Sequence, residues 1–152
     1  MTAPRVRPWS LSVPRPTCVL TAGCPPEQAL AALAEALRAH RGFRLRVSTP
    51  RTVEAVAGHQ SLAWFSPLQG AWPWGTYGTL IAMAEPADPA ESADPAPPAT
   101  AGARVRVSYP RAASDAGAGR HVAATLDDMV RRLEAAGVRV DVGPWESGLV
   151  AR

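Results

Sequence analysis

The sequence predicts an α+β domain in which an antiparallel β-sheet carries two helices on one face. Three observations lead there. Two stretches repeat apolar residues at three- and four-residue spacing, several short stretches alternate apolar and polar residues, and the connections between most of them are too short for parallel crossovers. The chain has 152 residues, 47% of them hydrophobic and 19% charged, a length and balance that suit one compact domain with some flexible sequence.

Residues 1–16 hold four prolines and Arg5 and Arg7 without an apolar run, so they read as a flexible N-terminal tail and not as a secretory signal. TCVLTA at 17–22 is a short β-branched strand. Pro25 and Pro26 then suit the start of a helix, where a missing N–H goes unnoticed. From Glu27 onward Leu30, Leu33 and Leu37 mark one helical face, and Gly42 after His40 and Arg41 terminates it. Phe43, Leu45 and Val47 alternate with Arg44, Arg46 and Ser48, as a half-buried strand requires. TVEAVA at 52–57 and SLAWFS at 61–66 continue an antiparallel meander, and TYGTLIAMA at 76–84 is the next strand. Pro67 and Pro73 keep the residues between out of any central strand.

Residues 85–103 contain only Pro, Ala, Gly, Ser, Thr, Asp and Glu. With nothing large to bury, they read as a disordered acidic insertion. Beyond it Val105, Val107 and Tyr109 alternate with Arg104, Arg106 and Ser108, a strand that pairs most simply with 76–84. Val122, Leu126, Met129, Val130 and Leu133 mark a second helix over roughly 119–136, ended by Gly137. VRVDV at 138–142 is a short last strand. The expected organisation is one domain over 17–143, flanked by the N-terminal tail and a C-terminal tail at 144–152. A ferredoxin-like split β-α-β with an extra hairpin is the alternative topology.

This order resembles the helix-grip superfamily of small bacterial and plant ligand-binding domains. The stretch RVRVSYPRAASDAGAGRHVAATL at 104–126, with Arg111 and then Ser114-Asp115-Ala116-Gly117 ahead of a helix, is similar to the closing strand and helix of a bacterial family of unknown function with related topology. The resemblance implies an apolar cavity between the C-terminal helix and the sheet.

Several chemistries lack their motifs. There is no Walker-type phosphate loop, H-E-x-x-H, C-x-x-C or G-x-S-x-G. His40, His59 and His121 have no partner at i, i+4, so spacing supplies no metal site, and no cofactor is expected. Asp127 and Asp128, adjacent on a helix, diverge by about 100° and suit ion pairs with Arg131 and Arg132 better than acid–base work. Cys18 and Cys24 are ~20 Å apart if the segment is extended at about 3.3 Å per residue, which suits free thiols in a reducing, cytoplasmic setting. Cys24, just ahead of a helix, is a weak candidate nucleophile. No apolar run is long enough for membrane insertion.

Two patterns remain. Trp64, Phe65, Trp72, Trp74 and Tyr77 crowd into fourteen positions, and Trp64, Trp72, Trp74 and Tyr77 form the candidate site for an apolar small molecule or a protein partner. The competing assignment is a small aromatic core within that hairpin. Arg44, Arg46, Arg104 and Arg106, with Arg139 as an extension, occupy the polar phase of predicted strands and make an alternative site for nucleic acid or another polyanion. The sequence contains no Lys, so Arg abundance also follows from composition alone. The leading expectation is a non-catalytic binding module, with an enzyme built on an apolar cavity as a further alternative.

Overall fold

The computed structural model describes residues 4–10, 13, 15–58, 77–87, 102–110 and 116–148, with the backbone alone at 77, 116 and 117. The elements run β1 (Pro16–Ala22), α1 (Pro26–Ala39), β2 (Phe43–Ser48), β3 (Thr52–Gly58), β4 (Tyr77–Pro86), β5 (Ala103–Ser108), α2 (Ala116–Ala135) and β6 (Val140–Ser147). The six strands form one sheet in the order β2-β3-β4-β5-β1-β6, and every neighbouring pair is antiparallel. Three strands separate β1 from β2, so the split β-α-β alternative does not describe the topology. The predicted strand at 61–66 lies outside the described residues.

Alternation decides which side of each strand enters the core. Cys18, Leu20 and Ala22 of β1 stand beside Val107, Val105 and Ala103 of β5, and these beside Ala82, Ala84 and Pro86 of β4. Val53, Ala55 and Ala57 of β3 continue the same face. Both helices cover it: Ala29, Leu30, Leu33 and Leu37 of α1 and Val122, Leu126, Met129 and Leu133 of α2 are buried against it and each other. Small Ala side chains at the centre of the sheet let the helices lie close. At Gly78 of β4 there is no room even for a methyl group, because an added Cβ would overlap the phenol oxygen and Cζ of buried Tyr109.

The two predicted tails are the main corrections. Residues 4–10 pack as an arm in which Val6 and Trp9 are buried, at 3% and 6% exposure. Trp9 lies 5.5 Å from Tyr109 and 4.9 Å from Trp145 between ring centroids, and the indole N–H of Trp145 donates to the Arg7 carbonyl at 2.7 Å. The Arg5 backbone N–H donates to Asp127 at 2.8 Å and its guanidinium pairs with Glu134, so the arm straps α2 to the β6 edge. Val6 and Trp9 are isolated apolar residues among prolines, a pattern with no period to reveal their burial. At the other terminus β6 runs to Ser147, past the predicted end at 142. Gly143 and Pro144 break its alternation, but they sit at a register shift opposite β1 on an edge strand, where a Pro costs no ladder bond.

The predicted insertion is also shorter than 85–103. Glu85 and Pro86 belong to β4 and Ala103 to β5, and the Ala87 N–H donates to the Gly102 carbonyl at 2.6 Å. Among the described residues no helix is long and apolar enough to cross a membrane.

Candidate functional site

Trp64, Trp72 and Trp74 lie outside the described residues, and Tyr77 is described only as the first residue of β4. What the fold does define is where that aromatic segment is anchored. Gly58, the last residue of β3, pairs with Tyr77, and the Gly58 N–H donates to the Gly42 carbonyl at 3.3 Å. The segment therefore leaves and re-enters the sheet at one point, beside the turn that follows α1.

The arginines do share a face. Arg44 on β2 and Arg104 and Arg106 on β5 point to the side of the sheet opposite the helices, together with Thr79, Ile81 and Met83 of β4. Arg46 sits unpaired at the register shift between Leu45 and Val47 and reaches the same side beside Glu54. Met83 is 58% exposed and stands beside Arg106 across the strand pair. The four guanidiniums do not converge, however. Three strand spacings, about 14 Å, separate β2 from β5. Acids are interleaved: Arg46 approaches Glu54 at 3.9 Å, and Arg104 stands opposite Glu85. Arg139 precedes β6 on the far side of β1, near Asp141 at 4.0 Å, with its carbonyl accepting from the Gly23 N–H. The face is thus two arginine pairs and an outlier set in a polar and apolar mosaic. A scan against protein-family models finds no match to this chain, and a search of curated proteins finds none. The assignment of a site therefore rests on geometry and chemistry.

Both cysteines are free and buried. Burial pushes the Cys18 thiol up to about 11 and raises that of Cys24 as well, the direction opposite to a thiolate nucleophile. The Cys18 thiol faces the Gly143 carbonyl at 3.3 Å across the β1–β6 pair. Asp127 and Asp128 pair with Arg131 and Arg132 at i, i+4 spacing as their sequence suggests, and Asp127 additionally anchors the arm.

The histidines hold the contact that linear spacing concealed. α1 and α2 run in opposite directions, so His40, at the end of α1, meets His121, near the start of α2, with His40 Nε2 and His121 Nδ1 3.4 Å apart. The rings are nearly perpendicular, with centroids 5.2 Å apart, and Phe43 stacks edgewise on His40 at 5.6 Å. Eighty-one residues separate the two histidines, so only the antiparallel docking of the helices reveals the pair. Among the described residues no three His, Cys, Asp or Glu side chains gather into a metal-binding group.

Proposed function

We propose that the protein is a non-catalytic binding module that takes an apolar small molecule or an apolar patch of a protein partner at the aromatic segment between β3 and β4. One register carries this reading. Because Gly58 pairs directly with Tyr77, a turn of about two to five residues would close the hairpin, whereas the chain inserts the whole of 59–76 there, including Trp64, Phe65, Trp72 and Trp74. Connections longer than about 12–15 residues are uncommon within a domain and are usually either functional or linker segments, and a linker has no need of Trp and Tyr, which combine large apolar area with a polar handle. The described residues have an aromatic cluster of their own in Trp9, Tyr109 and Trp145, with Trp9 against Gly119 of α2.

The test is to replace 60–75 by a short Gly-containing turn and to compare melting and the binding of an apolar fluorescent probe such as ANS. The expected outcome is a melting temperature within a few degrees of the parent and loss of probe binding. A collapse of cooperative melting would make the segment part of the core and end the proposal. The common face of Arg44, Arg46, Arg104 and Arg106 favours a second reading, an acidic or nucleic-acid partner on the helix-free side of the sheet.

A further inference from the structure

We infer that the arm at residues 4–10 exchanges between two copies of this chain, each arm filling the other copy's seat between α2 and β6, so that the partner this surface fits is a second copy of the protein. The seat is complete without the arm's own tether. Tyr109, Trp145 and Gly119 of α2 stand against the Trp9 indole. Asp127 and Glu134 of α2 hold Arg5, and the Val140 carbonyl of β6 accepts from the Arg5 guanidinium at 3.3 Å. All of these groups lie beyond β5 in the sequence, far from the tether, so an arm arriving from another chain meets the same chemistry.

The tether is what favours the exchange. Among the described residues Arg15 is the only non-glycine with a positive φ, at 51°, a left-handed backbone that a side chain with a Cβ resists. Arg15 also directly precedes Pro16, and the proline ring biases the residue before it to the extended region. The arm folds back on its own chain through this residue and through a turn in which the Val13 N–H donates to the Ser10 carbonyl at 3.0 Å.

Rotating Arg15 to an extended φ redirects the arm away from its own body and releases the strain. That rotation is about the bond ahead of the Arg15 Cα, so the Arg15 carbonyl keeps the Gly148 N–H at 2.9 Å and the β1–β6 ladder is undisturbed. β6 is the edge of the described sheet, and the chain from Ser10 to Pro16 reaches about 20 Å when extended, which brings a copy lying beside that edge into range. Strain released at Arg15 in both copies offsets part of the freedom lost on association, while the contacts of arm and seat are the same before and after.

The sequence contains no Lys, which permits a direct test. Arg5→Lys keeps a cation beside Glu134 and supplies an amine that a carbodiimide joins to that carboxylate as an amide, with loss of water. Full-length Arg5→Lys chains of natural isotopes are mixed with nitrogen-15-labelled ones at up to about 1 mM, held until light scattering shows a constant dimer fraction, coupled and digested. Linked peptides that join a light arm to a heavy Glu134 segment are expected, approaching about half of the total as the dimer accumulates. Linked peptides of one isotope only, or a chain that stays monomeric throughout, would overturn the exchange. Two hinge variants leave arm and seat untouched and decide the matter even where Arg5→Lys disturbs the fold. Arg15→Gly, which accepts the left-handed backbone, should weaken the dimer by about tenfold, and Arg15→Val, which resists it, should tighten the dimer. A dimer whose affinity neither variant changes forms through another surface and refutes the proposal.

Discussion

Cys18 shows what a single buried side chain contributes and how to read it. Its thiol is fully enclosed between β1 and β6, and burial disfavours the thiolate, so the folded chain keeps the proton up to about pH 11 against 9.0 for an ordinary thiol. Between those values the unfolded chain binds fewer protons than the folded one. The contribution is therefore fully present below about pH 9 and is lost as pH rises toward 11. Melting followed from pH 8 to 11 should fall more steeply for the parent than for Cys18→Ala, which lacks the group; equal slopes would refute the assignment. The same burial predicts that neither Cys18 nor Cys24 is alkylated at neutral pH until the chain unfolds. The sequence correctly left the two thiols unbridged, from their spacing along an extended segment, and both are free, Cys18 in β1 and Cys24 in the turn before α1; it left Cys24 open as a nucleophile because exposure cannot be read from a residue's neighbours.

At the level of elements, what was legible depended on period. The α1 face of Leu30, Leu33 and Leu37, the Arg-alternating strand β5, and the α2 face of Val122, Leu126, Met129 and Leu133 occupy the positions that spacing assigns them. In β2 the alternation holds for Phe43 and Leu45 only, since a register shift turns Val47 to the side of Glu54, where it is 38% exposed. The arm at 4–10 was illegible because it has no period and is held by tertiary contacts to α2 and β6. Its role can be measured. Trp9 packs against Tyr109, Trp145 and the glycine backbone at Gly119 of α2, so Trp9→Ala should cost about 3–5 kcal/mol, the range for truncating a buried aromatic. Chemical denaturation of that variant provides the measurement, and a loss under about 1 kcal/mol would return the arm to the status of a tail. The His40–His121 contact was hidden for a related reason, since it joins the ends of two legible helices across a packing that neither helix specifies alone.

At the scale of the whole molecule, placing both helices on one face leaves the opposite face of the six-stranded sheet with Met83, Arg106, Arg44 and Arg46 exposed. The pairing of β2 with β3 and of β4 with β5 could be read from a short and a compositionally empty connection, whereas the direct pairing of β3 with β4, between which the sequence placed a strand at 61–66, and the insertion of β1 between β5 and β6 required the fold. That order determines how the arginine face can act. With β2 and β5 about 14 Å apart and Glu54 and Glu85 between or beside the basic groups, a flexible polyanion can span both arginine pairs, while a small anion can meet only one. If a polyanion uses the whole face, Arg44→Ala/Arg46→Ala and Arg104→Ala/Arg106→Ala should each weaken heparin binding at low salt and each lower the slope of log affinity against log salt. The two effects should add, because the pairs share no contact at that separation. A loss confined to Arg104→Ala/Arg106→Ala would restrict the site to the neighbourhood of Met83, where an exposed thioether beside a guanidinium suits an acidic peptide with an apolar side chain better than a nucleic-acid backbone. Heparin binding unchanged in both variants would leave the arginines as a solvated surface and the aromatic segment as the sole recognition element.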